Sequence, residues 1–148
     1  MEDGDMLHMI VEQTWEYPMR MAYDPEAKRF VETEYESLPH RRRFTKPYGW
    51  IKESGTPPSP HWDCILMTDR TPALGDEIEI RVIGVFKRSD LDHKYVAVEA
   101  SRGICDLSEL TGEERAELNR LYPQADPGEG WFGKKEAEYC MEHHPKAL

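Results

Sequence analysis

The sequence predicts a mainly β protein with added α-helix, in which a closed five-stranded β-barrel is followed by two helices. Three observations support this fold class. Short apolar strands separated by turn residues fill roughly residues 8–100, little of that segment has a helical period, and the apolar spacing becomes helical after residue 110. With 148 residues, the chain is expected to form one domain over residues 1–148.

The first strands are predicted from short apolar runs and the turns between them. Residues 9–11 (Met-Ile-Val) begin a strand, and residues 19–23 and 29–33 predict two more. Asp-Pro-Glu-Ala at 24–27 predicts the turn that joins these two strands. A glycine and three prolines within residues 54–60 predict a loop, because proline breaks both helices and sheet ladders.

The next apolar segments are predicted to build the barrel core. Residues 62–67 form a short apolar run that is typical of a buried strand. Residues 78–86 alternate at first and then become continuously apolar, which we expect where a strand enters the core. Residues 95–98 predict a further strand, so that five or more strands precede residue 100.

The final third of the chain has helical spacing. Thr-Gly-Glu-Glu at 111–114 is a capping box, which satisfies the first exposed amides of a helix ending at Pro123. A second helix is predicted at about residues 132–143. The residues predicted to face the core are Ala116, Leu118 and Leu121 in the first helix and Ala137, Cys140 and Met141 in the second.

The chain is acidic and polar, which narrows its expected partners. It has 29 acidic against 19 basic residues, a net charge of −10, and a mean hydropathy of −0.76. This charge argues against nucleic-acid partners and is compatible with cation binding. No apolar run approaches the ~18 residues of a membrane span, and the acidic N-terminus has no signal-peptide pattern. A cytoplasmic protein without membrane partners is expected.

The segment Arg41-Arg42-Arg43 is a local basic exception in this acidic chain. It is either a solvated turn or a loop that faces an anion.

The cysteine and histidine spacings do not match common metal sites. Cys64, Cys105 and Cys140 have no C-x-x-C spacing and are predicted to be reduced, buried thiols. The six histidines show no H-E-x-x-H pattern, and the nucleotide-binding and nucleophile-elbow glycine motifs do not occur.

Residues 48–98 carry a family resemblance. Tyr-Gly-Trp-Ile at 48–51, Asp63 after the proline-rich loop, and then Gly75, Arg81, Gly84 and Asp90 follow one another in order. This order resembles the soluble, Mg-dependent inorganic pyrophosphatases, whose pattern is Y-G-[FY]-I, a D-G-D-P-x-D loop, and G-x-x-[IV]-x-x-R-x-[IV]-G-[VM]-[LF]-x-[ML]-x-D. The tyrosine, Gly-Trp and helix at the end of the chain are also similar. The resemblance thus spans nearly the whole chain and implies an OB-like barrel.

The resemblance also implies an activity and a set of site residues. In the family, Mg²⁺ (or Mn²⁺) held by carboxylates activates water that splits pyrophosphate into two phosphates. By resemblance, the metal ligands are Glu12, Asp63, Asp90 and Asp92, with three residues fewer between the last two. The substrate-binding residues are Arg20 (a lysine in the family), Tyr48, Lys94 and Tyr122. Pyrophosphate or another phosphorylated small molecule is the expected partner, and a homo-oligomer is an open alternative.

Several positions depart from this pattern. Pro58 and Pro60 replace two loop aspartates, one a metal ligand and the other credited with activating the attacking water. Proline has no side-chain donor or acceptor, so neither role can survive there. Three further functional positions differ, at Phe44, at Thr33 or Glu34, and at Pro123. Weak or lost pyrophosphate hydrolysis is therefore expected.

Asp63 and His61 are the candidate catalytic residues. The two are two positions apart, so an extended segment directs both side chains to one face, where His61 could serve as ligand or general base. The alternative is an exposed loop histidine. Asp90-Leu91-Asp92 could likewise be a solvated turn, and Tyr48 could simply fill the barrel. Three functions stay open: a Mg-dependent hydrolase, a catalytically inactive binding or regulatory protein, and a metal enzyme for a different substrate.

Overall fold

A barrel, a hairpin and three helices make up the part of the chain that this computed structural model describes, residues 6–123 and 126–143. The elements in chain order are β1 (Leu7–Gln13), β2 (Met19–Asp24), β3 (Arg29–Glu36), α1 (Leu38–Arg41), β4 (Tyr48–Ile51), β5 (Asp63–Leu66), β6 (Glu77–Lys87), β7 (Lys94–Glu99), α2 (Gly112–Leu121), β8 (Gly130–Gly133) and α3 (Lys134–His143). Short 3₁₀ turns lie at Lys52–Ser54 and Leu107–Glu109.

Five strands close the barrel in the order β1-β4-β5-β7-β6, with β6 pairing back to β1. All neighbours are antiparallel except β5 and β7, which are parallel. The long strand β6 pairs with β1 near its start, at Glu77–Ile80, and with β8 near its end, at Gly84–Lys87. The predicted five-stranded closed barrel with helices in the last third is therefore confirmed.

The strands β2 and β3 form a separate hairpin beside the barrel. Asp24 closes its turn by accepting hydrogen bonds from the amides of Glu26 and Ala27, as the sequence predicts. The side chain of Gln13, at the end of β1, donates to the backbone carbonyls of Tyr17 and Met19 and accepts from the amide of Met21 at 2.7 Å. These bonds hold the hairpin against the barrel mouth.

Two apolar clusters lie on the two faces of the barrel strands. Cys64 and Leu66 of β5 pack into the cluster that α3 covers through Ala137 and Cys140. Ile65, on the opposite face of β5, packs into the cluster that α2 covers, together with Phe44. Because both faces of β5 and β7 are covered, residues 64–66 and 95–98 of these strands are continuously apolar, as parallel pairs usually are.

Four details of the sequence prediction are wrong. Ala116 is exposed, because it lies about 200° around the helix from the buried Leu118. Cys105 is exposed in a loop, although Cys64 and Cys140 are buried, and all three thiols are free. Phe132 belongs to β8 rather than to α3, because it pairs with Val85 at the end of β6. The short helix α1 was not predicted; the Ser37 side chain caps it.

The sequence predicts that no segment of this chain spans a membrane. Among the described residues, none of the helices is long and apolar enough to span a membrane.

Candidate functional site

A cavity of about 430 Å³ lies between the barrel mouth and the hairpin. It contains most of the residues that the sequence singles out. The charged residues that line it are Glu12, Arg20, Glu36, Arg88, Asp92 and Lys94, and the tyrosines are Tyr35, Tyr48 and Tyr122. Two larger surface cavities, of about 580 and 530 Å³, contain none of the predicted site residues. The smaller cavity is therefore the candidate site.

Asp63 and Lys94 form a buried ion pair behind this cavity. They are direct partners in the parallel register of β5 and β7, and the Lys94 Nζ donates to Asp63 Oδ2 at 2.9 Å. Asp63 and Lys94 are only 8% and 6% exposed. Burial alone would raise the pKa of Asp63, but the hydrogen bonds from His61 and Lys94 outweigh it and lower that pKa. Asp63 is therefore an ionised, fully paired carboxylate at neutral pH.

His61 holds the other oxygen of Asp63. Its Nε2 lies 3.0 Å from Asp63 Oδ1, and its Nδ1 lies 2.8 Å from the carbonyl oxygen of Ser59. Both partners are acceptors, so both ring nitrogens carry a proton and the ring is an imidazolium. The hydrogen bond to Asp63 accordingly raises the pKa of His61. The side chain is 8% exposed, so the alternative of an exposed loop histidine is wrong. An imidazolium with both nitrogens engaged cannot accept a proton as a general base.

The loop before β5 positions His61 by closing on itself. The Ser54 hydroxyl donates to the carbonyl of Ile51 at 2.6 Å and accepts from the amide of Trp62 at 2.8 Å. Gly55 has a φ of +143°, and a Cβ there would lie 2.1 Å from the carbonyl oxygen of Pro60, so the turn requires glycine. Pro58 and Pro60 are exposed on this loop. The loop thus supplies a counter-ion to Asp63 but no side-chain ligand from the two prolines.

Lys94 links the buried pair to the cavity. Besides Asp63, its ammonium donates to both oxygens of Asp92 at 3.2 Å and lies 5.8 Å from the centre of the Tyr48 ring. Burial would lower the pKa of Lys94, but Asp63 raises it more, so the group is charged. Tyr48 can lie here because Gly49 follows it: a Cβ on Gly49 would be 1.9 Å from the carbonyl oxygen of Ile10 on β1. The structure therefore brings Asp63, Asp92, Lys94 and Tyr48 together.

Three further predicted residues line the same cavity. Burial and the charge of Asp63 raise the pKa of the half-buried Glu12 to about 7. Arg20 is exposed on β2 and partly offsets this increase. Tyr122 follows α2 and stacks on Phe86, with ring centres 4.5 Å apart. Burial raises the pKa of Tyr122, so its hydroxyl is protonated and can donate to a ligand.

The structure does not place Asp90 among the residues that line the cavity. Its exposed carboxylate accepts from the amide of Asp92 at 3.0 Å and lies 3.4 Å from Arg88 Nη2. The backbone turns at Leu91, whose φ is +67°, so Asp90 and Asp92 point to different partners. Arg41, Arg42 and Arg43 do not line the cavity; Arg42 donates to the carbonyl of Leu121.

Arg88 is a cavity residue that the sequence reasoning missed. The family pattern has methionine or leucine two positions before the aspartate that corresponds to Asp90, and this chain has Arg88 there. That replacement of an apolar residue by a cation was the signal that could have identified it.

The donor set does not fit a bound Mg²⁺. Such a site needs several converging oxygens that are not already held by cations. Within residues 6–123 and 126–143, no three His, Cys, Asp or Glu side chains are grouped as metal ligands. Both oxygens of Asp63 are held by protein cations, Lys94 holds Asp92, and Asp90 lies with Arg88. Lys94 and His61 thus neutralise the carboxylate that a metal would otherwise bind.

Known proteins resemble this chain in structure but not detectably in sequence. No protein-family model matches the sequence, and no curated protein matches it. The chain is similar to the solved inorganic pyrophosphatase of Coxiella burnetii, with a TM-score of 0.73, 18% identity, and coverage of 97% of this chain and 95% of that one. For the inorganic pyrophosphatase of Neisseria gonorrhoeae, the TM-score is 0.72 and the identity 23%, with coverage of 94% of this chain and 91% of that one. For that of Thermus thermophilus, the TM-score is 0.71 and the identity 16%, with coverage of 96% of this chain and 90% of that one. The chain therefore has the fold of the inorganic pyrophosphatases over nearly its whole length.

Proposed function

We propose that this pyrophosphatase-like protein binds a phosphate-containing anion in the cavity and hydrolyses pyrophosphate weakly or not at all. The observation that carries the proposal is the double pairing of Asp63 with Lys94 and His61. This pairing turns a carboxylate suited to a metal into the centre of a buried network of protein charges.

Anion binding is supported by the cations around the cavity. Arg20, Arg88 and Lys94 line it in a chain whose net charge is −10. Guanidinium groups match phosphate oxygens with paired N–H donors, and the protonated hydroxyl of Tyr122 adds a further donor. Three acidic residues also line the cavity: Lys94 pairs Asp92, Glu36 lies 3.8 Å from Arg41, and the pKa of Glu12 is raised to about 7, so that it is only partly ionised at neutral pH. An anion can therefore be held by protein groups alone.

Weak hydrolysis follows from the groups that are missing or engaged. A positioned general base typically contributes about 10²–10⁴-fold, and neither Pro60 nor the imidazolium of His61 can supply it. Asp63 is not among the cavity-lining residues, so the ligand reaches it only through Lys94. The Mg²⁺ or Mn²⁺ requirement implied by the resemblance is not part of the proposal, and the cytoplasmic location and oligomeric state stay predictions.

Two measurements on the same preparation test this function. Calorimetric titration with inorganic phosphate in EDTA is expected to give saturable binding. A malachite-green assay with pyrophosphate and Mg²⁺ is expected to show little phosphate release. Turnover comparable to that of an ordinary pyrophosphatase, lost on Asp63→Asn, would support the alternative of a metal-dependent hydrolase. Titration without heat, together with no turnover, would contradict both functions.

A further inference from the structure

The cavity has two chemically different walls. The barrel side presents charge, through Arg88 and Asp92 from the β6–β7 segment and Lys94 from β7. The opposite side is formed by the hairpin and α1. There Met21, Tyr35, Leu38 and Pro39 supply apolar surface, beside the polar side chains of Arg20, Glu36 and Ser37. A symmetric inorganic anion would leave that apolar surface without a contact.

The charged wall can hold one phosphate group. Among the described residues, Arg88 makes one side-chain ion pair, a 3.4 Å contact from one nitrogen to Asp90, which leaves most of its five N–H donors for a ligand. Tyr122 lies close enough for the charges of Lys94 and Arg88 to affect its pKa. Arg88, Lys94 and Tyr122 therefore form a cationic and hydrogen-bonding corner of the cavity.

The apolar wall is exposed although it consists of large side chains. Tyr35 is 64% exposed and Leu38 is 39% exposed, and both line the cavity next to the buried Met21. Apolar surface in a concave site with a few placed polar groups is typical of a pocket for an organic ligand.

We infer that the ligand is an organic phosphate rather than inorganic pyrophosphate. Its phosphate group takes hydrogen bonds from Arg88 and Tyr122, while the ammonium of Lys94, whose donors are engaged by Asp63 and Asp92, adds its charge. The apolar or aromatic group of the ligand packs against Tyr35, Leu38 and Met21. The cavity, at about 430 Å³, is within the range of small-molecule sites. This inference rests on the proposed anion binding and adds the class of ligand.

Two probes with the same phosphate ester group and different organic groups test the inference. Methyl phosphate and phenyl phosphate are titrated calorimetrically in EDTA, against wild type, Tyr35→Ala with Leu38→Ala, and Tyr139→Ala. The Tyr139 variant removes an exposed aromatic residue of α3, away from the cavity, and is the matched control. Both cavity substitutions are at exposed positions, so the fold should be retained.

Wild type is expected to bind phenyl phosphate about tenfold more tightly than methyl phosphate, from burial of the aromatic ring. The Tyr35/Leu38 variant should lose this preference and keep its affinity for methyl phosphate, whereas Tyr139→Ala should change neither. Arg88→Met should weaken both probes by the same factor, about tenfold or more.

Each of the other outcomes refutes a specific part of the proposal. Equal affinities in wild type would overturn the inference and leave anion binding intact. A preference for phenyl phosphate that survives in the Tyr35/Leu38 variant would overturn the role of the apolar wall. If the protein binds neither ester and also does not bind inorganic phosphate, the proposed function and the inference are both refuted.

Discussion

The Asp63–Lys94 pair can be tested by a double-mutant cycle on the free energy of unfolding. Lys94→Met removes the ammonium but keeps most of the side chain, and Asp63→Asn removes the charge at nearly constant shape. Each single substitution leaves a buried charge without its main partner. The double substitution removes both charges, so it should cost much less than the sum of the two.

The geometry sets the expected size of these effects. At 2.9 Å and an effective dielectric constant of about 20, the Coulomb attraction is roughly 6 kcal/mol, and lost hydration offsets part of it. Each single substitution is expected to cost at most about 3–5 kcal/mol, because His61 still pairs with Asp63 in Lys94→Met and Asp92 still pairs with Lys94 in Asp63→Asn. The coupling energy should reach about 2–3 kcal/mol.

Urea unfolding followed by fluorescence of the four tryptophans measures all variants. Lys52→Met is the matched control, because Lys52 pairs with Glu77 at the similar distance of 2.7 Å, but both side chains are exposed. It should cost little, because solvent screens an exposed ion pair. Additive costs in the Asp63 and Lys94 cycle, or a Lys94→Met cost no larger than that of Lys52→Met, would refute the buried pair.

Three further outcomes are expected. Hydrogen bonds from Arg102, and further ones with Thr111, lower the pKa of Glu114 from 4.5 to about 2. The ionised carboxylate therefore stabilises the fold above pH 4.5, by about 1–2 kcal/mol once solvent screening is allowed for, and this is lost as pH falls towards 2. Glu114→Gln should flatten stability over that window, and an unchanged acid profile by urea unfolding would contradict it. Millimolar Mg²⁺ should leave the melting temperature unchanged, because Asp63 is already paired; a saturable increase in thermal-shift assays would show that a metal site forms. The double substitution Pro58→Asp with Pro60→Asp should change the rate of pyrophosphate hydrolysis by less than about threefold, because His61 and Lys94 still hold Asp63. The rate is measured by phosphate release. An increase towards the roughly 10²-fold effect of a restored general base would mean that the rest of the site is competent.

The barrel could be predicted from the sequence because its signals are local. Alternating and continuous apolar runs mark the strands, and the capping box at Thr111 and the turn at Asp24 place their boundaries. Tyr48 and Lys94 could be placed from the ordered resemblance, and both line the cavity.

The charge pairing could not be predicted because it depends on non-local geometry. The burial of His61 results from the closure of its loop through Ser54 and Gly55. The divergence of Asp90 from Asp92 results from one left-handed residue, Leu91. Spacing predicts that His61 and Asp63 share a face, but it does not show that Lys94 holds the other oxygen of Asp63.

The parallel register of β5 and β7 has a consequence for how the protein folds. Asp63 and Lys94 are separated by 31 residues, and because parallel neighbours need a crossover connection, no local hairpin can bring them together. The crossover here contains β6, which pairs with β7 on one side and closes the barrel against β1 on the other. A chain in which β7 has not docked against β5 would leave Asp63 and Lys94 without each other as partners. Partly assembled barrels are thereby disfavoured, and closure becomes a cooperative step late in folding.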